Sequence, residues 1–306
     1  MKCFFPEGWH EDKSDIKMLT YSKSEIQEAL DNRHILEAVA YMCDGDHNLL
    51  VNLGAMKGVI PRVEGAIGIE EGTTRDIALI SRVGKTVCFT VEEISEDAVG
   101  RPYALLSRRN AQKKCKEQML YNLSPGDILN AKVTHLESFG AFCDIGCGNI
   151  ALLPIDSISV SRITHPSDRF VTGDNIKVIV KSIAPNGRIT LSHKELLGTW
   201  SENAERFSAG QTVSGIVRSI ESYGIFVELA PNLAGLAESK EGVKVGERAC
   251  VYIKSIIPDK MKIKLIIIDS FDNNEAPDYE YFYYEDRMDS FVYSPPESLK
   301  IIETVF

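Results

Sequence analysis

Four aromatic residues hold the most specific chemistry in this sequence. Phe139 and Phe142 bracket Gly140-Ala141, and 84 residues later Tyr223 and Phe226 bracket Gly224-Ile225. A ring kept at a polar surface is a flat platform for stacking. Its usual partner is a nucleobase, worth about 1–3 kcal/mol per stacked base. Other chemistries lack their residues. The six histidines, at 10, 34, 47, 135, 165 and 193, are scattered, and Gly65-Ala66-Ile67-Gly68 is not a phosphate loop. No nucleophile is matched with a base, and no carboxylate pair marks acid–base work. Cys143 and Cys147 form the one close cysteine pair, without the second ligand pair of a zinc site. These residues point to a binding protein, not an enzyme, with no cofactor, no metal and no small-molecule substrate.

Strand periodicity must position the rings. Ala141, Cys143 and Ile145 share one face of a strand, while Phe142 shares the other with Asp144. In the later copy Ile225, Val227 and Leu229 oppose Phe226 and Glu228. The aliphatic set belongs in the core, so Phe142 and Phe226 point outward beside a carboxylate. Phe139 and Tyr223 have inward parity, but the adjacent glycine can bulge the strand and turn them out. Both placements stay open for this pair. The register match extends well beyond the rings. Gly126 answers Gly210, Val133 answers Val217 and Leu152 answers Leu236. After a deletion, Gly173-Asp174 answers Gly246-Glu247, and Lys181-Ser182-Ile183 answers Lys254-Ser255-Ile256. A repeat at this period is a tandem array of one small domain.

A degenerate copy lies upstream. Leu49, Val51, Leu53 and Gly54 fall where Ala141, Cys143, Ile145 and Gly146 fall. Gly58-Val59-Ile60-Pro61 echoes Ala151-Leu152-Leu153-Pro154. His47 and Leu50 occupy its aromatic positions, so its core pattern survives without the stacking surface.

The boundaries read as follows. Residues 1–32 are a lead-in with a short helix to about Asp31, announced by the capping box Ser22 and Glu25. Residues 33–108 are the degenerate repeat. Residues 109–123 are a linker helix with Ala111, Cys115 and Met119 at spacing four and a basic stripe of Arg109, Lys113 and Lys116. Residues 124–194 and 208–269 are the two aromatic-bearing repeats, joined by a second linker helix over 195–207 whose stripe is Leu196, Leu197, Trp200, Ala204 and Phe207. Residues 270–306 are an acidic, aromatic tail. Its charge favours disorder and its aromatics oppose it. A hairpin around Pro295-Pro296 would join Phe291-Val292-Tyr293 to Lys300-Ile301-Ile302, docking on a repeat or a partner, or shielding a nucleic-acid face.

The net charge of −10 on 306 residues is unevenly spread. Residues 1–110 carry −5, 111–200 carry +2, 201–270 are neutral and 271–306 carry −7. Only the first aromatic-bearing repeat is positive, so a modest salt dependence is expected. Seven scattered cysteines read as reduced thiols in a cytoplasmic protein. No apolar run reaches the roughly 18–20 residues of a membrane span, and the first twenty residues hold no signal peptide.

With these residues in view, the chain resembles the S1 RNA-binding domain, the OB-fold repeat of bacterial ribosomal protein S1. The order of signals is similar: Gly126-Asp127, a Val-rich strand, Phe-Gly-Ala-Phe, a turn at Ala151-Leu152-Leu153, Gly173-Asp174, and a last hairpin at Asn186-Gly187-Arg188. The resemblance implies a mainly β fold of tandem five-stranded barrels joined by short helices. It implies single-stranded RNA as ligand, bound across strands two and three, with mRNA at or near the small ribosomal subunit as partner. The rings Phe139, Phe142, Tyr223 and Phe226 match the family's aromatics, Arg188 keeps its basic position, and Lys262 stands in for it later. The family's histidine position holds Pro154 and Glu238, and its aspartate position holds Ala184. His135, Arg162, His165 and Arg169 are candidate replacements, with Lys181 and Lys254 near the phosphates. The competing expectation is a protein adaptor for the ribosome or an RNA-decay assembly, using the degenerate repeat and the tail.

Overall fold

The computed structural model describes residues 4–9, 19–273 and 278–306. Three closed five-stranded barrels dominate it. The first comprises β1 (Ile35–Cys43), β2 (Leu49–Asn52), β3 (Lys57–Ile60), β4 (Thr86–Glu96) and β5 (Pro102–Ser107). The second comprises β6 (Ile128–Glu137), β7 (Gly140–Asp144), β8 (Ile150–Pro154), β9 (Asn175–Ile183) and β10 (Ile189–Ser192). The third comprises β11 (Thr212–Glu221), β12 (Gly224–Ala230), β13 (Leu233–Ala237), β14 (Arg248–Ile257) and β15 (Lys262–Phe271). All three close in one cyclic order, with the third strand parallel to the fifth: Val59 lies opposite Leu105, Leu152 opposite Thr190, and Leu236 opposite Lys264. Period-2 patterning causes this. In β15, Ile263, Leu265 and Ile267 are buried while Lys262, Lys264 and Ile266 face out. The mainly β tandem-barrel architecture is as the sequence implied.

The chain forms two compact units. One runs to Leu123 and includes Asn130–Lys132 and Asp144–Ile150; the other holds Ser124–Leu129, Val133–Cys143 and Ala151–Phe306. In the first unit, α1 (Lys23–Asn32) begins with the capping box read from Ser22 and Glu25. A short α2 (Ile77–Ile80) follows β3, and α3 (Arg108–Asn122) buries Ala111, Cys115 and Met119. Arg109 pairs with Glu64 and Glu70, so it is withdrawn from the expected basic stripe. Glu7 is buried with Arg108, whose Nε and Nη2 donate to its carboxylate at 2.6 and 2.8 Å. The Glu7 backbone N–H donates to Asp144 at 2.8 Å.

The second unit corrects the linker expected over 195–207. Lys194–Leu197 form a single 3-10 turn, Gly198 at φ 84° breaks it, and Thr199 caps the separate helix α4 (Trp200–Ala204). Leu196, Leu197, Trp200 and Ala204 are still buried, so the stripe packs although the helix is interrupted. The segment between β8 and β9 is anchored on the third barrel by a buried triad. Glu228 accepts from Arg169 at 2.5 Å and from Arg218 at 3.0 Å. The tail is ordered over 278–306: Tyr279 and Tyr281 pack edge-on against buried His193. β16 (Ser290–Val292) pairs with β17 (Glu303–Val305), the expected hairpin with its second arm three residues further along.

Candidate nucleic-acid interface

The rings sit where two strands turn back on each other. In the third barrel Glu221 pairs with Gly224, leaving a two-residue turn, Ser222-Tyr223. In the second, Ser138-Phe139 joins β6 to β7 in the same way. Phe139 and Tyr223 are therefore turn residues, free of strand parity, and no bulge is needed to turn them out. Glycine follows because the backbone is crowded. A Cβ on Gly140 would lie 2.5 Å from the Leu153 carbonyl oxygen, and one on Gly224 2.5 Å from that of Ala237.

The outcome is the same corner built twice. Phe139 is 54% exposed and Tyr223 68%, while Phe142 and Phe226 beside them are half-buried. The rings stand perpendicular, at 5.9 Å and 90° in one pair and 6.1 Å and 88° in the other. Edge-to-face contact fixes each corner and leaves flat ring surface open. His135 extends the first corner, stacked on Phe142 at 6.3 Å and 25°, with Nε2 2.7 Å from Glu137. Ser219 takes the equivalent place beside Phe226.

The carboxylates beside the rings are not on this face. Asp144 and Glu228, expected outward, are both buried. Asp144 accepts the backbone N–H groups of Glu7, Gly146 and Gly148. Burial and the nearby Glu7 charge push its pKa up to about 7. Glu228 is held by Arg169 and Arg218, so Arg169 is buried in an ion pair and is not available as a replacement contact for RNA. Outward parity fails here because other chain segments cover the ends of β7 and β12.

The basic candidates divide by what they already hold. Arg162, Arg188, Lys254 and Lys262 are exposed. Lys181 donates to Ser157 Oγ at 2.9 Å. His165 caps the turn Pro166–Asp168, where its Nδ1 accepts from the Ser167 N–H at 3.1 Å. Arg188 lies two residues before Thr190 and Lys262 two before Lys264, and Thr190 and Lys264 have equivalent parallel partners, Leu152 and Leu236. The substitution of Lys262 for Arg188 thus matches in position. One residue was missed. Phe226, Leu236 and Lys264 form a single row across β12, β13 and β15, which aligns Lys264 with the stacking ring. The alternation Lys262-Ile263-Lys264 carried that signal.

The first barrel lacks the corner. Its β1–β2 loop is longer, His47 adopts φ 62°, and Leu50 is half-buried. Among the described residues, no group of three or more His, Cys, Asp or Glu is arranged to hold a metal ion, and no helix is long and apolar enough to cross a membrane.

Residues 123–194 match the S1 RNA binding domain family. The chain is similar to small ribosomal subunit protein bS1 of Staphylococcus aureus, 33% identical over 227 residues, which is 72% of this chain and 55% of that protein. It is 30% identical over 258 residues to the bS1 homolog of Bacillus subtilis, 82% of this chain and 63% of that one. The chain thus spans less than two thirds of the length of either relative. A solved multidomain protein with nucleic acid binding domains from Streptococcus pneumoniae aligns over 79% of this chain and 75% of its own, at 15% identity and a TM-score of 0.25.

Proposed function

The second barrel belongs to the S1 RNA binding domain family, and from that premise we propose that this chain binds single-stranded RNA by stacking bases on its two aromatic corners. The repeated perpendicular pair, Phe139 with Phe142 and Tyr223 with Phe226, carries the reading. His135 lengthens the first platform. Arg162, Arg188, Lys254, Lys262 and Lys264 meet phosphates, with Lys181 and His165 in reserve because each already holds a serine. The likeness to small ribosomal subunit proteins supports mRNA as the ligand, the small subunit as the site of action, and the cytoplasm as the location. The chain acts by binding, without catalysis.

The affinity is modest. If each corner binds at about 100 μM and the tether supplies about 1 mM, the tandem binds near 10 μM. Stacking accepts every base, so sequence preference is weak and duplex is disfavoured. The test is fluorescence anisotropy of a labelled single-stranded RNA against the wild type and the variant with Phe139, Phe142, Tyr223 and Phe226 all changed to Ala. The variant is expected to lose binding while its circular dichroism stays native. Equal affinity in both proteins would overturn the stacking mechanism.

A further inference from the structure

The shared strand order lets the outer face of the fourth strand be compared between barrels. In the second barrel this face is covered. Ile179 on β9 is fully buried in a cluster with Leu196, Met288 and Tyr281. The Lys177 N–H donates to Tyr281 Oη at 2.9 Å, and Lys177 Nζ lies 5.7 Å from the centre of the Tyr284 ring. The covering segment, residues 278–289, holds five acidic residues, one arginine and five aromatics. In the first barrel the equivalent residue, Thr90, is also buried.

The third barrel breaks the pattern. Tyr252 on β14 occupies the place of Ile179 and is 38% exposed. Directly across from it on β15 stands Ile266, 42% exposed, and Ile268 beyond it is exposed as well. Lys254 and Lys264 flank this apolar strip. The cause is a difference in how the chain leaves each barrel. β10 stops at Ser192 and the following turn packs Leu196 against Ile179, whereas β15 continues to Phe271. Of the tail beyond it, Tyr281 and Met288 pack on the second barrel, and Tyr293 joins the core of the third without covering Tyr252.

We propose that the outer face of β14 and β15 is a docking site for an acidic, tyrosine-bearing segment of a protein partner. The occupant's chemistry is set by the second barrel, where such a segment already covers the equivalent face. Lys254 and Lys264 complement its acids, and a lysine beside a tyrosine ring repeats the contact of Lys177 with Tyr284. Tyr252 is the one ring of the strip; Ile266 and Ile268 are branched aliphatics that suit protein side chains, so the strip lacks the paired rings of the two stacking corners. An exposed strip of Tyr, Ile and Ile between lysines has the makeup of an interaction surface.

The test uses the full chain and a fluorescein-labelled peptide with the sequence of residues 278–289. The wild type is expected to bind the peptide, and Tyr252→Ala to weaken binding by at least about tenfold, as for an aromatic anchor. Ile266→Ser is expected to act in the same direction. Both positions are exposed, and thermal unfolding checks that both variants stay folded. RNA affinity, measured in parallel without peptide, is expected to be unchanged by either substitution, because neither alters the corner rings or Lys254 and Lys264, the two lysines that this face shares with the proposed RNA site. No peptide binding, or equal binding by all three proteins, overturns the proposal. Loss of RNA affinity in the variants would assign the face to RNA and also overturn it. So would a dimer that Tyr252→Ala dissolves, since the occupant would then be a second copy.

Discussion

The exposure of each stacking ring depends on a side chain that is absent. At Gly140 the backbone of β7 approaches Leu153 so closely that a Cβ would meet its carbonyl oxygen at 2.5 Å. Backbone yields less readily than a side chain, so Gly140→Ala is expected to cost on the order of 1–3 kcal/mol, as overpacking does. A fall in melting temperature, with weakened RNA binding in the protein that remains folded, would show it. Glu228 presents the opposite case, a charge that two others require. Glu228→Gln leaves Arg169 buried without its counter-charge and Arg218 with only Asp168, at 3.1 Å, and among the described residues Arg169 Nε already has no hydrogen-bond partner. A loss of about 3–5 kcal/mol is expected on chemical denaturation. A variant as stable as the wild type would show that the triad contributes no net stability.

At the scale of elements, what could be read from the sequence depended on how local the cause was. The outward parity of Phe142 and Phe226 and the capping box of α1 are set within a few residues, and both were legible. The turn at Ser138-Phe139 was not, because a glycine after an aromatic residue fits a bulge as well as a two-residue hairpin. Burial of Asp144 was hidden because its partner, Glu7, is remote in sequence. The interrupted linker hid for another reason: Leu196, Trp200 and Ala204 keep helical spacing on both sides of the break at Gly198. The tail's hairpin was legible, but docking on a repeat stood as one alternative among three, since it depends on His193 and Ile179 in a different repeat. His193 makes that docking pH-sensitive. Burial lowers its pKa from 6.5 to about 4, so the folded state favours the neutral ring. Its contribution is complete above pH 6.5 and is lost as the pH falls from there towards about 4. Denaturation at pH 7 and pH 5 should differ by on the order of 2 kcal/mol from this group. His193→Gln should shrink that difference, and an undiminished one would assign the effect to other groups.

Across the whole molecule, charge is segregated so that a net −10 coexists with a positive second repeat. Binding through about 3–4 phosphates gives a log–log salt slope of roughly −2 to −3. A slope near zero would leave stacking as the whole of the affinity, and one beyond about −5 would mean more phosphate contacts than these residues supply. The bond from Glu7 to Asp144 has a consequence in time. Its two ends lie 137 residues apart, so the first is made long before the second exists. At about 5–20 residues per second, the opening segment waits roughly 7–27 s during synthesis for the loop that completes its hydrogen bonding. Arg108, which neutralises Glu7, emerges 36 residues ahead of Asp144. The order of translation thus supplies the counter-charge first, and the carboxylate that must be buried beside Glu7 arrives at a site already neutralised.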